Sequence, residues 1–182
     1  MSKIQSDFEL DKYGIHVRLV REEDAEFIVN LRTNPQNARF IGHTDSDVSK
    51  QIDWIREYKK REEAGIDYYF IFFEGDKPIV LDRIYNIDWL QLSYNSGSWL
   101  SAPDANAKSV MICTAVFNDI AQDVLGLLLD ISKIDKNNKR VVKFQRDVIN
   151  AYQYGETEQD YLFISTPETR KGNKLKKFLG IE

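Results

Sequence analysis

Cysteine, histidine, proline and long apolar runs are all scarce in this chain of 182 residues, and positive charge is not in excess. Cys113 is the sole cysteine, so no intrachain disulfide can form. With only His16 and His43 beside it, no recognisable zinc-ligand set can be assembled, and we expect no metal. Lys and Arg number 25 against 29 Asp and Glu, a net charge of -4. Nucleic acid is therefore not an expected partner, because phosphate-backbone binding rests on clustered Lys and Arg. The one dense basic run, Arg170–Lys177, reads as a solvated tail or a terminal helix. No stretch approaches the ~20 apolar residues that span a bilayer, and Met1–Asp7 lacks an apolar signal core. We expect no membrane contact and a soluble, cytoplasmic protein. P-loop, dinucleotide-binding and nucleophile-elbow signatures are also missing.

What is present suffices for a core, with 42% apolar residues including many aromatics. No repeat or linker divides the chain, so one domain over 1–182 is expected, with extensions at 1–12 and 168–182. Ile15–Val20 alternates and reads as a strand, and Glu22-Glu23-Asp24 opens a helix to Thr33. A second helix runs from about Val48 to Ala64, with Val48, Ile52, Ile55 and Tyr58 on one stripe and Gly65 as its stop. Tyr68–Phe73 and Pro78–Ile87 read as strands joined by the turn Glu74–Lys77. Leu90–Asn95 reads as a loose connection into the strand Ser96–Ser101. A helix from about Asn106 to Val124 carries two apolar stripes and so is buried; Leu127–Ile134 follows as an interior strand. A short basic helix, Asn138–Arg146, and a strand, Tyr161–Ser165, complete the series, and the segment before Tyr161 can supply one more. A helix joining two adjacent strands implies a parallel pair inside an otherwise antiparallel sheet. The fold class is mixed α/β with a crossover helix.

The stretch Gly97-Ser98-Trp99-Leu100-Ser101-Ala102-Pro103 leads from a strand end to a helix N-terminus. Unpaired, dipole-aligned N–H groups there suit phosphate. Yet no glycine occurs between Gly97 and Gly126.

This order of elements resembles the GNAT superfamily of coenzyme-A-dependent N-acyltransferases over about Tyr13 to Ser165. The branch it resembles contains ribosomal-protein N-terminal and amino-sugar acetyltransferases. The patterns that carry the likeness are Val17–Asp24, Leu31-Arg32-Thr33-Asn34-Pro35, Gln51–Ile55 with Tyr58, Arg83–Asp88 and Gly97-Ser98-Trp99. The resemblance implies a mostly antiparallel sheet with one parallel, splayed strand pair. It implies acetyl-CoA as co-substrate, with the pantetheine arm on Trp99, Leu100 and Ser101 and a further contact at Asn138. The pyrophosphate would rest on the loop Asn106-Ala107-Lys108-Ser109-Val110-Met111. There Ser109 and Met111 replace the family's glycines and Asn106 its Gln or Arg; Met111 would crowd the loop, and Lys108 could supply charge.

Amine acylation needs a neutral amine, an outlet for its proton, an oxyanion donor and an acid for the thiolate. The family's Glu position holds Asn95, and its Tyr position holds Gln145. A water relay, a substitute side chain and loss of catalysis all stay open; Tyr85, Asp82 and His43 are candidate substitutes. Their ordinary readings are a half-buried strand aromatic, a solvent-facing strand residue and a loop histidine. Arg32, Trp54, Trp89 and Tyr85 are candidates for the acceptor side, and Cys113 reads as core. The implied function is acetyl transfer by direct attack to a primary amine, either a nucleotide-linked amino sugar or a protein N-terminus. The alternative is a catalytically silent binding domain of the same fold. A homodimer is compatible with the family.

Overall fold

The computed structural model describes residues 4–181. Residues 1–3 of the segment without a signal core, and residue 182 of the carboxyl-terminal extension, lie outside it. The elements run β1 (Glu9–Lys12), β2 (Ile15–Leu19), α1 (Ala25–Thr33), α2 (Pro35–Ala38), α3 (Val48–Glu63), β3 (Asp67–Glu74), β4 (Lys77–Asp88) and β5 (Ser93–Ser101). After them come α4 (Ala107–Asp119), β6 (Leu129–Asp135), α5 (Lys139–Phe144), β7 (Tyr152–Glu156), β8 (Asp160–Ser165), α6 (Pro167–Arg170) and α7 (Leu175–Leu179).

One sheet holds all eight strands in the order β1-β2-β3-β4-β5-β6-β8-β7. Only β5 and β6 run parallel. That is the geometry a single crossover helix imposes, and α4 is that helix. Alternation along β3 separates the two faces. Tyr68, Phe70 and Phe72 pack with Val110, Cys113, Val116 and Phe117 of α4, whereas Tyr69 and Ile71 pack with Ile28, Ile55 and Tyr58 of α1 and α3. The two apolar stripes of α4 thus meet one sheet face, and Cys113 is buried core as expected. Gly65 and Gly126, at φ +71° and +70°, end α3 and α4 in the left-handed conformation a side chain resists.

Several boundaries depart from expectation for physical reasons. Glu22–Asp24 forms a 3₁₀ turn, and α1 starts only at Ala25. The Asp24 carboxylate is committed elsewhere: Arg18 Nη1 and Nη2 donate to it at 2.7 and 2.8 Å, and the Arg21 N–H at 2.7 Å. β5 begins at Ser93, so the end of the supposed connection Leu90–Asn95 is strand. β1 reads Glu-Leu-Asp-Lys, with no apolar alternation to betray it, and lies at the sheet edge against Ile15–Arg18. α4 and α5 each finish in a wider π-type turn, Ile120–Val124 and Gln145–Ile149. Of the two readings of the basic carboxyl-terminal run, the terminal helix holds, as α7, and the solvated tail does not. Leu175 and Leu179 are buried with Ala115 of α4, and Lys176 pairs with the buried Asp119 at 2.6 Å.

Arg18 and Asp24 are 8% and 6% exposed, so removing one partner strands a buried charge. Asp24→Ala is expected to cost about 3–5 kcal/mol in a denaturant titration. A loss below about 1 kcal/mol would show instead that the turn does not depend on the pair.

Candidate active site

β5 and β6 pair at only three positions: Ser93 with Leu129, Tyr94 with Asp130, and Asn95 with Ile131. β5 then continues to Ser101 and β6 to Asp135 with no further pairing between them. A wedge opens in the sheet, and beyond Asn95 this side of β5 has no strand partner. Asn95 pins the apex. Its Nδ2 donates to the Ile131 carbonyl at 3.0 Å, and its Oδ1 accepts from Asn86 Nδ2 at 3.1 Å. The diverging half of β5 is also kinked. Leu81 faces Leu100 and Arg83 faces Gly97, so Ser98 and Trp99 together oppose the single residue Asp82. This is a β-bulge, with Ser98 left-handed at φ +57°.

The α4 terminus lies beyond the end of β5. Asn106 Oδ1 accepts from the N–H groups of Lys108 and Ser109 at 2.8 and 3.3 Å. Its side chain therefore caps the helix. Ser109 Oγ donates to Glu74 Oε1 at 2.6 Å, and Lys77 pairs with Asp104 at 2.6 Å. Two contacts thus tie the β3–β4 turn to the start of α4, and a carboxylate already complements the positive end of the helix dipole. Met111 joins the cluster of Ala115, Ile149, Leu175 and Leu179, which gives its side chain a seat within the fold. Lys108 is exposed and makes no ion pair among the described residues. Asn138 Oδ1 caps α5, accepting from the Val141 N–H at 3.4 Å.

The α1/α3 face carries a guanidinium–aromatic wall. Arg83 lies 5.2 Å from the Trp54 ring centroid and 5.1 Å from that of Tyr85. It also clasps Asp67, from Nε to Oδ1 at 2.8 Å and from Nη2 to Oδ2 at 2.5 Å. The Tyr85 ring lies against Gly97, where a Cβ would come within 3.1 Å of Cε1 and 3.2 Å of the hydroxyl oxygen. Glycine is what lets the ring lie on the diverging strand. Trp54 meets Tyr69 edge-on at 6.0 Å. Burial pushes the Tyr69 hydroxyl up to about 12 against the pull of Arg32 and Arg83. Arg32 donates from Nε to Thr44 Oγ1 at 2.6 Å and has no carboxylate partner among the described residues. The fold thus gathers the expected Arg32, Trp54 and Tyr85 on one face. His43 stands exposed in the adjoining loop, between Gly42 and Thr44. Arg83 and Asp67 were not singled out as site residues. The signal was alternation, which puts Arg83 on the face of Tyr85.

On the α4 face, Asp82 corrects the solvent-facing reading: it is 4% exposed. It alternates with the core residues Val80 and Ile84, and its carboxylate accepts one hydrogen bond, from the Arg83 N–H at 2.9 Å. Burial first, then the charge of Asp130, holds it well above the usual carboxylate range. Asp130 is itself pushed up to about 6 by burial, with Ser96 and Arg170 pulling it back. Among the described residues, Tyr94 Oη, Asp130 Oδ1 and Arg170 Nη2 are buried atoms without hydrogen-bond partners, and these three residues line a cavity of about 10 Å³. That is about the space one water needs. Among the described residues, no group of three or more His, Cys, Asp or Glu could hold a metal, and no helix is long and apolar enough to cross a membrane.

If phosphate rests on the α4 terminus, Glu74 opposes it and Lys108 favours it. Calorimetric titration with acetyl-CoA is expected to show Glu74→Gln binding about two- to fivefold more tightly and Lys108→Ala more weakly by a similar factor. Unchanged affinity in both variants would place the phosphates elsewhere.

No family model and no curated protein matches the sequence. Solved structures do. Apo FdhC, a nucleotide-linked sugar GNAT, is 29% identical with a TM-score of 0.83, over 97% of this chain and 99% of its own. Ribosomal-protein-S5-alanine acetyltransferase from Vibrio fischeri is 14% identical with a TM-score of 0.73, over 88% of this chain and 97% of its own. Spermidine N-acetyltransferase SpeG from Vibrio cholerae is 16% identical with a TM-score of 0.70, over 92% of this chain and 98% of its own. The eight-stranded sheet that holds the wedge at Asn95 and Ile131 superposes on these structures: the chain resembles the GNAT acyltransferases in sequence and has the GNAT fold.

Proposed function

We propose that this chain transfers an acetyl group from acetyl-CoA to the primary amine of a nucleotide-linked amino sugar. The observation that carries the reading is the wedge between β5 and β6, which leaves one side of Trp99, Leu100 and Ser101 without a strand partner, open to a pantetheine arm; Asn37 Nδ2 reaches the Ser101 carbonyl at 3.5 Å. The arm runs toward the α4 terminus, where the N–H groups from Ala107 to Met111 and the Lys108 ammonium receive the pyrophosphate. Asn138 borders its path.

The acceptor approaches from the α1/α3 face, so cofactor and amine meet at the wedge from opposite sides of the sheet. Two features favour a nucleotide-linked sugar there. Arg32 is a guanidinium without a carboxylate partner among the described residues, suited to a phosphate of the acceptor. Trp54 and Tyr85 supply aromatic faces for a ring. The likeness to FdhC supports the same choice over a protein N-terminus. Attack is direct: the amine nitrogen bonds the thioester carbon, and free N–H groups of β5 at the bulge stabilise the oxyanion. Asn95 accepts no proton in this scheme; its amide holds the apex.

Thiol release from acetyl-CoA, measured with nucleotide-linked amino sugars, spermidine and alanine- or serine-initiated peptides, tests the reading. We expect turnover with an amino sugar nucleotide and little with the others. Binding of acetyl-CoA without thiol release on any amine would favour the silent domain. Absence of acetyl-CoA binding would overturn the acyltransferase reading.

A further inference from the structure

At the two positions where the family resemblance implies proton-handling groups, this chain carries the amides Asn95 and Gln145. The departing thiolate still needs a proton. Among the described residues, Asp82 is the buried carboxyl that faces the bulge of β5, since Ser98 and Trp99 oppose it across the strand pair. It lies on the α4 face, the side on which the cofactor arm runs in the proposed pose. No cation pairs with it among the described residues, and its one hydrogen bond comes from the Arg83 N–H. Arg83 itself points to the opposite face and is committed to Asp67. The titratable groups near Asp82 are Tyr94 of β5, Asp130 of β6 and Cys113 of α4, with Tyr69 of β3 on the other face. None of them is a positive charge. A carboxyl desolvated in this way, beside a second carboxyl, is most stable with its proton on.

We propose that Asp82, in its neutral carboxylic form, is the acid that protonates the CoA thiolate as it leaves. This rests on the acyltransferase reading and assigns the step that Gln145 cannot perform. The neutral amine attacks, the C–N bond forms, and the C–S bond breaks as the carbonyl re-forms. The Asp82 O–H proton passes to sulfur. The surplus proton on nitrogen goes to solvent, and Asp82 regains one from solvent before the next turnover. The sum is amine plus acetyl-CoA giving amide plus CoA thiol, with nothing oxidised or reduced. Asp130 does not take this part, because it sits below the apex facing Arg170.

Two measurements on the intact protein test the assignment. The first is infrared difference spectroscopy at about pH 8, above the ordinary carboxylate range. A protonated-carboxyl C=O band is expected in the wild type and absent from Asp82→Asn. The second compares two acyl donors. With acetyl-CoA, Asp82→Asn should lose about a hundredfold in kcat with the KM for acetyl-CoA nearly unchanged, and Asp82→Glu should recover part of it. With 4-nitrophenyl acetate, whose leaving group needs no proton, Asp82→Asn should match the wild type. A missing band, wild-type turnover by Asp82→Asn with acetyl-CoA, or an equal loss with both donors would overturn the proposal. If the wild type itself transfers no acetyl group to any amine, the acyltransferase reading fails and takes this role with it; an active wild type with an active Asp82→Asn sinks this inference alone.

Discussion

Everything distinctive in this molecule depends on two neighbouring strands that stop pairing after three residues. A parallel pair inside a sheet normally consumes its backbone groups in a continuous ladder. Here the ladder ends at Asn95 and Ile131, and the Asn95 side chain substitutes for the next rung by bonding the Ile131 carbonyl. Asn86 fixes the other end of that amide. The bulge at Ser98 and Trp99 then turns the free strand away from its neighbour. Backbone polarity that would be costly to bury is thereby left without a strand partner, and in the proposed function a ligand takes it up. An amide serves at the apex because it donates and accepts at once, which a carboxylate cannot do.

The helix terminus shows how the fold does without the usual glycines. Ser109 turns its hydroxyl to Glu74, and Met111 finds a place in the cluster beneath α7. Neither side chain must stand in the space a phosphate would use. Glu74 brings a negative charge to a terminus suited to anions, so in the proposed function the affinity for a phosphate there reflects a balance between Glu74 and Lys108.

Much of the fold was legible because its signals are local and periodic. The alternation of Ile15–Val20, the double stripe of α4 and the glycines at 65 and 126 each name one element and its stop. β1 was not legible, since three charged residues around a single leucine become a strand only because β2 lies beside them. The site divides in the same way. Arg32, Trp54 and Tyr85 could be nominated one by one, but their common face depends on Arg83, whose partner Asp67 lies on another strand. Asp82 was misjudged as solvent-facing because nothing in Val80-Leu81-Asp82-Arg83-Ile84 reveals that α4 covers it. Burial of one charged residue in a strand is decided by what packs on top.

The central claim is that the unpaired side of β5 and the α4 terminus together receive acetyl-CoA. Amide hydrogen exchange with and without saturating acetyl-CoA tests this directly. The account predicts slowed exchange confined to the amides of Ser98–Ser101 and of Ala107–Met111, with the rest of the sheet unchanged. Protection centred elsewhere, or no change along β5, would contradict it.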